Sequence, residues 1–385
     1  MTGEYSAEIQ QQLMLEEHQY RLTRRTFLAA AGAGALGGSL AACSSGAPAS
    51  HVSGGLESQL NLQTWGGYND FVFPLFQKKY GVHINAGFYG SNDEAVAKVE
   101  SAGPGQYDVF FEGAAYIPKL TGLNLIEPWD QAKIPNFNLL YPKIAQNTHD
   151  PLPGHTFTKL YLVPFAWGLT PFTVRSDVIH STPTTWNDLT NPKYKGKISL
   201  FDDALNRYFV TALTLGLNPY DEVTANIDKV KAYLQDKLLP NVRFLWSTGN
   251  DIVNAMSSGE VVAADVWDNL AFQMISAGKP VKIFVPQEGV AGFVCGAMLL
   301  KGAKDPEAAH AFANYSISTP IQVDSAVMRG NRPVNKVAAA DLPAAKKELL
   351  QVSEASTLQG EVKPLPAWGA HFSQLVSQMW ISIKH

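Results

Sequence analysis

Residues 60–88 read LNLQTWGGYNDFVFPLFQKKYGVHINAGF, and the hydrophobic period changes twice within them. Leu60–Trp65 is a short apolar strand. From Asn69 to Tyr80 apolar residues recur at helical spacing through Phe73, Phe76 and Tyr80, and Gly81 stops the helix. Val82, Ile84, Ala86 and Phe88 then alternate as a half-buried strand does. A strand, a helix and a second strand in so short a span make a βαβ unit, and βαβ units build a mostly parallel sheet.

The same alternation continues outward. Ser91-Asn92-Asp93-Glu94 is a capping box opening a helix, Asp108–Phe111 is a strand, and a further helix ends near Gly122. A second set begins near Trp167. Its strands are Lys197–Phe201, Val242–Trp246, Glu260–Val266 and Lys282–Val285, with helices at 204–217, 221–239, 248–258 and 269–277 between them. An apolar strand at Phe293–Leu300 and a helix opened by Asp305-Pro306 follow. No long linker separates the two sets, so two α/β lobes joined by short crossings are expected.

The chain has 385 residues, 46% hydrophobic and only 17% charged, with 30 Lys+Arg against 34 Asp+Glu. Two domains with real cores fit that length. A net charge of −4 lacks the basic footprint of a nucleic-acid binder. The 2 Cys support neither a disulfide framework nor a four-thiolate zinc site.

Residues 1–42 read as an export signal. Arg24-Arg25 precede a charge-free Ala/Gly run from Phe27 to Ala42, which ends at Cys43. The run is too short to span a membrane, which needs about 20 residues. Thr23–Leu28 resembles a twin-arginine signal, and Leu40-Ala41-Ala42-Cys43 a bacterial lipobox, which implies diacylation of Cys43 and a membrane anchor. The competing reading is a buried Ala/Gly helix. Residues 43–58 read as a flexible tether.

Enzyme chemistry finds little support. Gly32, Gly34 and Gly37 spell a dinucleotide motif without the preceding strand it needs, and no P-loop or G-x-S-x-G elbow occurs. His149, Asp150 and His155 lie in a Pro/Gly-rich loop, a poor metal frame. No cofactor and no metal are expected. An exported α/β hydrolase or transferase would use Asp202, Asp203 or Cys295, although the two Asp also stand where a helix is capped. A surface structural protein without a deep cleft is a third possibility.

Binding features are clearer. Trp65, Trp246 and Trp267 each close a strand, with Tyr68 and Asp203 in comparable places, and ligands of α/β sheets bind beyond the carboxyl ends of strands. Each Trp alone reads more often as core than as ligand wall; together they point to a lined pocket.

The stretch from Leu60 to about Asn335 resembles the bacterial periplasmic polyamine-binding proteins, the spermidine/putrescine receptors of ABC importers. The carrying strings are Thr64-Trp65-Gly66-Gly67-Tyr68, Tyr107-Asp108-Val109-Phe110, Val163-Pro164-Phe165-Ala166-Trp167-Gly168, Thr185-Trp186-Asn187-Asp188-Leu189 and Asp202-Asp203. The resemblance implies a two-lobed, type II-like periplasmic-binding-protein fold, each lobe a mostly parallel sheet flanked by helices. Residues 59–166 plus about 268–325 would form lobe 1, and 167–267 plus about 326–385 lobe 2. It implies a monomeric receptor that performs no chemistry and delivers a small solute to a membrane permease.

Residue by residue, the resemblance implies that Trp65, Tyr68, Trp267 and Phe293 line an amine channel and that Asp203 holds an amino group. Asn206 and Cys295 stand where the family has acids, and Asn331-Arg332-Pro333 replaces a Tyr-Pro turn. A ligand with one cationic end follows, its anionic end taken by Arg332 or Arg207 unless both Arg face solvent.

Overall fold

The computed structural model describes residues 59–66, 71–146, 159–350 and 362–384. The segments read as signal and tether, with Arg24, Arg25 and Cys43, lie outside these residues, as do Tyr68, His149 and His155.

The βαβ unit forms as its periodicity requires. Strand β1 (Gln59–Thr64) buries Leu60 and Leu62, and the helix Val72–Tyr80 buries Val72, Phe73 and Phe76. Gly81 ends that helix at φ 72°, where its N–H reaches the Gln77 carbonyl, a conformation that favours glycine. Strand β2 (His83–Phe88) then returns parallel to β1.

The remaining strands are β3 (Val109–Gly113), β4 (Ile126–Glu127), β5 (Val163–Thr170), β6 (Phe172–Arg175), β7 (Ile198–Phe201), β8 (Val242–Trp246) and β9 (Ala263–Asp265). They are followed by β10 (Val281–Phe284), β11 (Val290–Leu300), β12 (Arg332–Pro333) and β13 (Val362–Pro364). They form two sheets. The first runs β12-β5-β11-β3-β1-β2, with β4 and β13 also on β11; the second runs β10-β6-β9-β7-β8. Parallel pairing holds within β2-β1-β3 and β9-β7-β8. The strands that return between lobes join antiparallel, so each sheet is mixed.

The chain crosses from the first sheet to the second at Pro171, between β5 and β6, and returns between β10 and β11. This moves the expected segment boundaries. Strand β10 lies in the second sheet rather than with 268–325 of lobe 1, and β12 and β13 lie in the first sheet rather than with 326–385 of lobe 2. Short strands drawn late in the chain fill sheet edges, and their periodicity does not say which edge.

Thr185–Leu189 works as architecture. Thr185 caps a 3-10 turn reciprocally with Asp188, while the Trp186 indole donates to the Gly289 carbonyl at 2.8 Å and stacks on Phe172. The block therefore pins the second lobe to the returning crossover. The helix Ala370–Ile381 packs on both Ala204–Thr214 and Ile117–Gly122, bracing the two lobes behind the cleft. Among the described residues no helix is long and apolar enough to cross a membrane.

Candidate functional site

The carboxyl ends of β1 and β3 in one lobe face those of β7 and β9 in the other, and a cavity of about 970 Å³ opens between them. Its walls are aromatic. Trp65, just past β1, meets Tyr89 at 4.6 Å and crosses the cleft to Trp267, just past β9, at 5.5 Å. Phe201 at the end of β7 meets Trp267 edge-on at 4.9 Å. Such packing presents ring faces and edges suited to a partly apolar, cationic guest.

Asp203 sits at the centre of the polar lining. Strand β7 ends at Phe201 and the helix Ala204–Thr214 begins, so Asp203 is the helix cap: its Oδ1 accepts the Asn206 N–H at 2.7 Å. Its other oxygen faces the opposite lobe, accepting from the Asn92 amide at 2.7 Å and the Tyr116 hydroxyl at 3.2 Å. Burial pushes the carboxyl up to about 6, with the nearby Asp93 charge adding to the rise. Asp203 thus joins the two lobes across the cleft.

The bacterial extracellular solute-binding protein model matches residues 75–351. The chain belongs to that family. The Salmonella typhimurium spermidine/putrescine-binding periplasmic protein is 30% identical over 247 residues, covering 63% of this chain and 68% of that protein. A putative spermidine/putrescine ABC transporter structure from Listeria monocytogenes superposes with a TM-score of 0.75 at 22% identity, over 85% of this chain and 99% of the other. A Treponema pallidum lipoprotein gives 0.70 at 21% identity, over 85% and 99%. These structures show that the fold is the two-lobed one expected.

In this solute-binding protein, Trp65, Asp203, Asn206, Trp267, Phe293, Cys295 and Asn331 all line the cavity. Gly168 explains how Phe293 gets there. A Cβ at Gly168 would stand 2.6 Å from the Phe293 ring and 2.7 Å from the Asp268 carboxylate, so the bare backbone of β5 makes the room.

Other expectations need correction. Trp246 is fully buried and absent from the lining; it stacks on Phe201 at 4.5 Å, supports Trp267 edge-on at 5.1 Å, and donates to the Asp265 carbonyl. Arg332 lies behind the wall, paired with Asp268 and lying over the Trp167 and Phe272 rings. Arg207 is likewise buried, paired with Asp265 and bonded to the Asn206 amide oxygen at 2.8 Å. Both guanidinium groups are buried, and neither residue is part of the cavity lining.

Of the residues that the hydrolase reading names, Asp203 and Cys295 line the cavity and Asp202 does not. Asp202 faces away from the cavity, accepting from the Trp380 indole at 2.7 Å and the Lys384 ammonium. Burial pushes the Cys295 thiol up to about 12, which leaves it protonated at neutral pH and a poor nucleophile.

Asn92, Tyr89 and Glu112 are among the site residues that escaped sequence reading. Glu112 carried a signal. It directly follows the apolar run Val109-Phe110-Phe111, and β3 extends through it to Gly113, which places an acid at a strand's carboxyl end. Tyr89 sits in the turn after β2 and Asn92 opens the helix Asn92–Ala102, where polar residues usually serve the turn and the helix start.

Proposed function

We propose that this protein is an exported, lipid-anchored receptor of an ABC importer, which captures a small amine-bearing solute between its lobes and passes it unchanged to a membrane permease. The observation that carries the reading is Asp203, a buried carboxyl gripped by the first lobe and surrounded by aromatic walls. A buried carboxylate without a cation keeps much of its desolvation penalty, and an ammonium removes it. The same ammonium gains roughly 0.5–2 kcal/mol over an aromatic face. Glu94, Glu112 and Glu222 also line the cavity, against Arg329 among the cations, while Asp268 in the lining is paired with Arg332. The relative from Salmonella is named for binding spermidine and putrescine, which makes amines the first solutes to test.

The export and anchor parts rest on Arg24-Arg25 and on the lipobox ending at Cys43. Solute entering the open cleft touches both lobes and favours the closed state by its extra affinity for it. Native mass measurement and titration with putrescine, spermidine, a simple monoamine and an ω-amino acid test the proposal. At least one amine should bind, raise the melting temperature as RT ln(1 + [L]/Kd) requires, and be recovered intact. Turnover of the solute, or indifference to every amine, contradicts it.

A further inference from the structure

Glu112 is the next-to-last residue of β3, follows three buried apolar residues, and is itself only 1% exposed while lining the cavity. Its Oε1 accepts the Gly113 N–H at 2.6 Å. Its Oε2 is buried and has no hydrogen-bond partner among the described residues. An orphaned buried acceptor costs about 1–3 kcal/mol, so its persistence calls for a partner that arrives from outside.

The turn that follows β3 reaches the cap of the Ala204–Thr214 helix. Tyr116, one tight turn past Gly113, donates to Asp203 across the cleft. The Glu112 carboxyl is held well above the ordinary range, first by burial and then by the Asp203 and Asp93 charges, with Lys119 opposing. Tyr116 and the Cys295 thiol, the other titratable groups beside it, are themselves raised and neutral. Asn92 adds an amide oxygen, also buried without a partner among the described residues.

We infer that Glu112 from the first lobe and Asp203 from the second form one ammonium subsite, in which a single primary amine donates to both carboxyls and bridges the closed cleft. The Asn92 carbonyl supplies the third acceptor, matching the three N–H donors of a primary ammonium. The inference rests on the amine-receptor reading and adds to it a choice of ligand: hydrogen-bonding ammonium groups over quaternary ones, which aromatic walls alone do not distinguish.

Titration of the full chain with putrescine and with its fully N-methylated counterpart tests this. The unaltered protein should bind putrescine at least roughly tenfold more tightly, and Glu112→Gln should weaken putrescine by about tenfold while leaving the methylated compound unchanged. If Glu112→Gln does not fold, the comparison of the two amines on the unaltered protein still decides. Equal binding of the two amines, or a Glu112→Gln affinity within about twofold of the original, overturns the inference alone. No binding of either amine overturns it together with the amine-receptor reading.

Discussion

Asp203 does two jobs with its two oxygens. Oδ1 caps a helix and Oδ2 receives Asn92 and Tyr116 from the other lobe. The cap needs only an acceptor, which Asn provides equally well; the cleft is what makes the charge matter. Because burial holds Asp203 at about 6, above the usual carboxylate range, the folded closed state retains a proton that the unfolded chain gives up. Stability therefore falls as pH rises between about 4 and 6 and is flat above, a loss of about 3 kcal/mol from this group. Asp203→Asn should raise the ligand-free melting temperature by a few degrees at pH 7, with the gain vanishing near pH 4, as scanning calorimetry at both pH values would show. Equal melting temperatures at pH 7 would mean that the carboxylate is already compensated. The same variant should lose amine binding, separating stability from function. Arg207 and Arg332 give the opposite lesson. Each is a buried cation matched to a buried acid, Asp265 or Asp268, so its charge is spent inside the protein.

At the scale of elements, strand and helix periods in the sequence carry the two lobes because one face of each element must be apolar. Leu60, Leu62 and Phe76 are buried as their spacing requires, and Gly81 and Gly259 end helices at positive φ. Sheet edges were not legible: Arg332-Pro333 contributes too few residues to show a period, and its pairing with Ala166 and Trp167 is decided by packing. The site was legible where a residue closes a strand, as with Trp65, Asp203 and Trp267. It failed where layers matter, since a Trp at a strand end and a Trp one layer behind it look alike in sequence, and Trp246 is the second kind. Gly168 shows how backbone without a side chain shapes the pocket. Gly168→Ala would drive a methyl into the Phe293 ring and the Asp268 carboxylate. Unfolding in denaturant should show a loss of about 1–3 kcal/mol, and titration a weaker amine affinity because Phe293 is displaced. An unchanged affinity would remove Phe293 from the binding wall.

For the molecule as a whole, the crossings at Pro171 and between β10 and β11 let two sheets approach along one cleft, while the helix Ala370–Ile381 braces the back. The contacts that close the cleft are Trp65 with Trp267 and Asp203 with Asn92 and Tyr116. Without a cation, closure at neutral pH buries carboxyls that prefer water, so the empty protein favours opening; an amine reverses that balance by neutralising them. Small-angle X-ray scattering at pH 7.5, with and without saturating putrescine, reads this directly. A clamp closed by an amine gives a smaller radius of gyration with putrescine than without, and a compact form at pH 4.5 even when empty. A radius that putrescine leaves unchanged at pH 7.5, in a protein that binds it, would contradict closure around the solute.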